Sequence, residues 1–286
     1  MATKHRSDLQ NRPAPARFDQ ARDSCEVHWI IYDGHHFSIR RPCSAKPVPG
    51  ENRSHDRASK ENHLYDGMDM TQPLKIDFVS DVSCPWYAIG LASLERALDS
   101  LAPELTADLR FQPFELNPQM GAEGEDIAEH LTRKYGSTPQ QQAQIRETIR
   151  QRGAEVGFTF TPGGRGRIWN TFDAHRLLYW AEQEGAPQQH ALKNALLEAY
   201  HGRAESPADH EVLLRAAAQA GLDEPRARVV LAGGEFASEV REREAYFTSN
   251  GIHSVPAVII NGKHLISGGQ PAEVFERALR QIADAG

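Results

Sequence analysis

The feature that most constrains this chain is a junction. Leu74-Lys75-Ile76-Asp77-Phe78-Val79 is a short apolar run that reads as a buried strand. Within a few residues it gives way to Ala88–Leu98, where Ile89, Leu91, Leu94, Ala97 and Leu98 recur at helical spacing. Between them lies Asp81-Val82-Ser83-Cys84-Pro85-Trp86-Tyr87. Ser83 suits an N-cap region, and Pro85 suits the first helical turn, where its missing N–H costs nothing. Cys84 therefore stands where a strand ends and a helix begins. There, unpaired N–H groups and the positive end of the helix dipole favour a thiolate. A C-x-x-C dithiol would place a second cysteine at position 87, which is Tyr87. One sulfur has to do whatever chemistry the junction performs.

The bulk of the sequence narrows the setting. Its 286 residues are 40% apolar and 25% charged with a formal charge of −7, the make-up of a soluble globular protein with room for a sizeable core. No apolar run approaches the ~20 residues a bilayer span needs, and the N-terminus shows no secretory h-region. Cys25, Cys43 and Cys84 are too few for a disulfide scaffold, so a cytoplasmic, reducing location is expected. No basic stripe with interleaved aromatics points to nucleic acid. Acid–base pairs and metal ligands show no usable spacing, so no metal is expected. The 13 histidines are scattered along the chain.

Residues 1–69 read differently, being rich in Arg, Asp, His, Ser and Pro with one apolar patch at Val27–Tyr32. Such a segment buries too little apolar surface to offset its ordering entropy. A disordered or non-native extension is expected, with translation starting at Met68 or Met70. Cys25 and Cys43 receive no role.

Beyond the junction, Leu109–Leu116 alternates as a second strand, with Pro113 suggesting a bulge or an edge. Helical patterns then run over 127–135, 140–156, 172–184, 188–200, 208–220, 224–231 and 235–250, with glycine breaks at Gly136, Gly157, Gly185, Gly202, Gly221 and Gly233-Gly234. The period changes again at Ala257-Val258-Ile259-Ile260. Asn261-Gly262 is the strongest short hairpin signal, Lys263–Ser267 returns, and a helix closes over 271–282. The expected fold is α/β: a thioredoxin-like core (β-α-β plus β-hairpin-α) with a large all-helical insertion. Its parts would be 70–117 and 251–286 for the core and 118–250 for the insertion, the first two strands being parallel through a right-handed crossover.

Five motifs in this order resemble a known family. They are Cys84-Pro85-Trp86, Phe114-Glu115-Leu116-Asn117-Pro118, Asn170-Thr171-Phe172-Asp173-Ala174-His175-Arg176-Leu177, Ser254-Val255-Pro256-Ala257 and Gly268-Gly269-Gln270. Together they are similar to the DsbA-type thioredoxin fold, in its FrnE-like branch, related to 2-hydroxychromene-2-carboxylate isomerases and kappa-class glutathione transferases. The resemblance implies that Cys84 is the attacking thiolate and that Val255-Pro256 is a cis bond facing it. The Val255 backbone would pair with an extended peptide or glutathione. Pro85, Trp86, Tyr87, Asn170 and His175 would complete the substrate-binding set. No tightly bound cofactor is implied. Glutathione would be a co-substrate, the partner a thiol or disulfide, and a homodimer is left open.

Tyr87 departs from the dithiol pattern and leaves three functions standing: a single-cysteine thiol–disulfide oxidoreductase, a glutathione-dependent isomerase or transferase, and a redox-inactive peptide-binding module. Bland readings stand beside these roles. A lone cysteine serves elsewhere as a small buried hydrophobe. Trp86 reads as a cleft wall, and Tyr87 either fills space or lends its phenol to a bound thiolate. His175 reads as a core histidine and Asn170 as a helix cap. Gly163-Gly164-Arg165-Gly166-Arg167 reads as a loop, with an arginine at most contacting a carboxylate.

Overall fold

The computed structural model describes residues 72–285 and, ahead of them, the backbone of two short strands, β1 (His28–Tyr32) and β2 (His35–Ile39), paired antiparallel. The rest of the expected extension, with Cys25, Cys43, Met68 and Met70, lies outside the described residues.

The main sheet has the order β4-β3-β7-β8. Strand β3 (Leu74–Ser80) pairs parallel with β4 (Ala107–Pro113), with Phe78 opposite Phe111. It pairs antiparallel with β7 (Ala257–Ile260), which turns back into β8 (His264–Ser267). The turn works as its residues require. Asn261 and Gly262 sit at φ 52° and 63°, the positive values a type I′ turn needs. The Asn261 side chain also accepts from the Lys75 N–H at 3.0 Å.

Helix α1 (Pro85–Leu101) crosses between the parallel strands, and α9 (Ala272–Asp284) lies beside it. Leu74, Ile76 and Phe78 from β3 meet Leu91, Leu94, Phe275 and Leu279 from these helices in one core. On the opposite face, Val79 packs with Phe247 of α8 (Ala237–Ser249) and with Ile252.

Between β4 and β7 run α2 (Ile127–Tyr135), α3 (Pro139–Glu155), α4 (Phe172–Glu184), α5 (Ala186–Leu197), α6 (His210–Gln219), α7 (Glu224–Ala232) and α8. Local chemistry fixes their ends. Asp126 caps α2 at two N–H groups and Gly136 closes it at φ 67°, while Thr138 and Gln141 form a capping box on α3. A core of its own joins Leu177, Trp180, Leu196, Leu213 and Val230. Helix α5 ties this bundle to the sheet. The Gln189 amide accepts from Phe111 N–H and donates to Phe111 O, both at 3.0 Å, which occupies the backbone of edge strand β4.

The structure differs from the sequence expectation in three places. Strand two ends at Pro113 rather than continuing to Leu116, because proline cannot donate onward. Helix α5 runs on into a π-helical turn, Glu198–Gly202. A two-residue pair, β5 (Glu125–Asp126) with β6 (Arg167–Ile168), is too short to leave a periodic signal.

Candidate active site

Cys84 is the N-cap residue of α1, with extended backbone (φ −85°, ψ 114°) and no side-chain cap. Its neighbours are fixed before it is. Asp81 turns back on the loop, accepting from Ser83 N–H at 2.9 Å and from Leu116 N–H at 2.7 Å. His201, on the π-helical turn, meets the Val82 carbonyl at 2.9 Å through Nε2, and Arg165 donates to the Ser83 carbonyl. The three residues ahead of the sulfur are thus held by strand, loop and helical segments together.

Across from the sulfur, the Val255–Pro256 bond is cis. Cys84 Sγ donates to the Val255 carbonyl at 3.7 Å. Among the described residues nothing accepts from the Val255 N–H. A third wall comes from the loop after β8. A Cβ on Gly269 would lie 2.6 Å from the Trp86 carbonyl, so only glycine lets the loop approach the first turn of α1.

Electrostatics correct one expectation. Cys84 is 4% exposed, and burial pushes its thiol up to about 11, with the Asp81 charge adding to the rise. The backbone N–H groups of Tyr87 and Trp86 and the Arg165 charge pull it down without prevailing. The helix N-terminus therefore does not yield a resting thiolate, and the thiol stays protonated at neutral pH. Asp81 goes the other way. Its burial would raise the carboxyl, but His175 and the Ser83 and Leu116 N–H groups hold it at about 2. His175 Nε2 stands 3.8 Å from Asp81 Oδ1, beyond hydrogen-bond distance.

The predicted site residues separate into two groups. Cys84, Pro85, Trp86, Val255 and Pro256 come together, with Pro85, Trp86 and Val255 partly exposed. Tyr87 does not face the cleft. It is fully buried, its ring 4.8 Å from Phe78 and 6.3 Å from Phe111, and its hydroxyl has no partner among the described residues. It fills core space in place of a second thiol. Asn170 spends its side chain on the Met120 carbonyl and the Phe172 N–H, a turn that starts α4. His175 is 2% exposed, behind the Cys84 loop.

Sequence reasoning assigned no role to Asp81, His201 or Lys193, and gave Arg165 at most a carboxylate contact. Asp81 pins the loop. His201 and Arg165 hold its carbonyls. Lys193, 1% exposed, sets its ammonium 4.4 Å from the Tyr87 ring centre, and burial pulls it down to about 7. Lys193 lies in register with Gln189 and Leu196 on the buried stripe of α5, a polar interruption visible in the sequence. Within the described residues Arg165 meets a carbonyl rather than a carboxylate. Among the described residues no three His, Cys, Asp or Glu side chains gather as a metal site.

This sheet order, a cysteine at the start of the crossover helix and a cis-proline facing it define a thioredoxin-like protein. The chain belongs to the DSBA-like thioredoxin domain family, whose model matches residues 75–280. It is 32% identical to a probable DsbA oxidoreductase from Streptomyces coelicolor, over 74% of this chain and 90% of that one, with a TM-score of 0.68. Two further structures share the fold. A 2-hydroxychromene-2-carboxylate isomerase is 15% identical over 74% and 99% of the chains at TM-score 0.53, and the cytosolic disulfide reductase DsbM from Pseudomonas aeruginosa is 14% identical over 74% and 100% at 0.53. No curated protein matches the chain.

Proposed function

We propose that this protein is a thiol–disulfide oxidoreductase that works through one sulfur, Cys84, and completes each turnover with an outside thiol such as glutathione. One relationship carries the reading: the Cys84 thiol against the Val255 carbonyl at 3.7 Å, beside a Val255 N–H left open. An extended peptide or glutathione along this segment would exchange two backbone hydrogen bonds with Val255. It would take the carbonyl and leave the thiol without its acceptor. Since a hydrogen bond made by the neutral form opposes ionisation, docking favours the thiolate.

The thiolate then attacks one sulfur of the substrate disulfide. That S–S bond breaks, the far sulfur leaves as thiolate and takes a proton, and Cys84 is held in a mixed disulfide. With Tyr87 in place of a resolving cysteine, a thiol from solution attacks the substrate sulfur and releases Cys84. One disulfide and one thiol exchange partners, and the electrons balance. The reading sets the reaction in the cytoplasm, where such thiols are plentiful. No helix among the described residues is long and apolar enough to cross a membrane.

The high resting thiol favours a second reading, a glutathione-dependent isomerase or transferase in which Cys84 keeps its proton and donates to the glutathione thiolate. Oxidised glutathione separates the two. The first expects an adduct on the Cys84 peptide by mass spectrometry, growing with pH between 7 and 9 and absent from that peptide in Cys84→Ser. Glutathione binding without an adduct supports the second, and neither result leaves a redox-inactive peptide-binding module.

A further inference from the structure

The loop Gly163–Arg167 gathers arginines that the fold leaves without carboxylates. Most arginines between residues 110 and 280 are matched: Arg176 with Asp173, Arg226 with Glu235 and Arg243 with Glu182, for example. Arg165, half-buried, has no carboxylate within ion-pair distance among the described residues. Its guanidinium lies 4.8 Å from the Tyr200 ring centre and donates to the Ser83 carbonyl, one residue from the sulfur. A guanidinium has five donors in a planar fork, and one carbonyl leaves most of them free. Arg146 adds a second charge with no ion-pair partner among the described residues. A Cβ on Gly164 would lie 3.2 Å from its Cδ, so the exposed Arg146 runs against the same loop and makes no ion pair there.

Tyr135 ends α2 at 62% exposure, and its phenol is raised first by partial burial and then by the charge a Cys84 thiolate would carry. In a chain of net charge −7, Arg165 one residue from the sulfur and Arg146 against the same loop carry positive charges with no carboxylate partner among the described residues.

We propose that Arg165, backed by Arg146, reads a carboxylate on the substrate, so that the Cys84 cleft takes small thiols and disulfides bearing a carboxylate near the sulfur. This rests on the Cys84 exchange reading for the chemistry but not for the binding. Arg165 acts as a specificity-determining residue: its fork holds the carboxylate bidentately while the substrate's sulfur meets Cys84.

Two measurements test this on the full chain. In the first, Cys84 reacts with a dianionic aromatic disulfide, 5,5′-dithiobis(2-nitrobenzoate), and with the neutral 2,2′-dithiodipyridine. Arg165→Gln is expected to lower the ratio of the anionic to the neutral rate roughly tenfold, the worth of one charge-assisted hydrogen bond, the ratio being read because losing Arg165 acts on the thiol itself in both reactions. Arg165→Lys should keep part of the preference and Arg146→Gln should lose part. The preference should also fall with added salt.

The second measurement needs no reactive cysteine. S-methylglutathione is titrated into the parent, Cys84→Ser and Arg165→Gln proteins, and its dimethyl ester serves as control. Binding should weaken roughly tenfold in Arg165→Gln alone, with the ester indifferent to Arg165. If Arg165→Gln leaves both the reagent ratio and the S-methylglutathione affinity unchanged, or if the parent shows neither preference nor binding, Arg165 only supports the Ser83 carbonyl and the proposal is overturned. If neither reagent labels Cys84 while S-methylglutathione still binds through Arg165, the exchange reading falls and the carboxylate reading stands.

Discussion

Cys84 faces Val255 across 171 positions of sequence, with the thiol of one on the carbonyl of the other. Burial and the Asp81 charge keep that thiol protonated at neutral pH, its value raised to about 11. Alkylation of Cys84 by iodoacetamide should therefore be slow at pH 7 and accelerate about tenfold per pH unit up to pH 9, with no plateau near the free-thiol value of ~8.5. Asp81→Asn should bring the midpoint down by removing the nearby negative charge. It should also cost about 2 kcal/mol at pH 7, because a carboxyl held at about 2 contributes stability above its unfolded value of ~3.9. That contribution disappears as pH falls from 4 to 2, so the two proteins should converge in acid urea titrations. A midpoint near 8.5 in the parent would contradict the burial argument.

Tyr87 carries a buried hydroxyl with no partner among the described residues, inside an aromatic cluster. Tyr87→Phe should therefore stabilise the protein by about 1 kcal/mol, the cost of an unmade buried hydrogen bond. Tyr87→Cys should cost about 3 kcal/mol in the reduced state, through the cavity it opens. Under oxidising conditions the new thiol should close a disulfide with Cys84, visible as a loss of two alkylation sites.

Lys193 is a base whose folded value, about 7, lies far below its unfolded one. Between pH 7 and 10 the unfolded chain binds the extra proton, so Lys193 makes stability rise with pH over that window. Lys193→Met should stabilise the protein by about 2 kcal/mol at pH 6, since it replaces a buried charge by an apolar side chain of similar length. The gain should shrink at pH 9. Denaturant midpoints at the two pH values check both the sign and the slope.

Gly269 meets the Trp86 carbonyl where a Cβ would sit at 2.6 Å, and backbone cannot move aside as a flexible side chain does. Gly269→Ala should push the loop away from α1 and cost about 2 kcal/mol. Because that first turn carries Cys84, the rate of Cys84 alkylation should change in the same variant, whereas a surface substitution such as Lys263→Ala should alter neither.

Much of this fold was legible because its signals are local. The strand at Leu74, the turn at Asn261-Gly262 and the helices 127–135 and 172–184 announce themselves by period, cap or turn chemistry. The meeting of Cys84 with Val255 was reached through the motif order rather than through spacing, since nothing in composition links residues so far apart. The thiol's protonation was misread. A helix start argues for a thiolate, but desolvation depends on how completely the helical segments close over the loop, and that is a tertiary quantity. His201 and Lys193 escaped for a related reason: each comes from helical segments far along the chain from Cys84, where sequence distance hides spatial contact.

The pairing of β3 with β7 joins Ile76 to Ile260. On a ribosome, the segment bearing Cys84 emerges long before the strand and loop that enclose it. At about 5–20 residues per second, the sulfur waits roughly ten seconds or more for its facing carbonyl. A nascent or truncated chain thus exposes a thiol that the finished protein shelters. The completeness of synthesis and the reactivity of this cysteine are one and the same property.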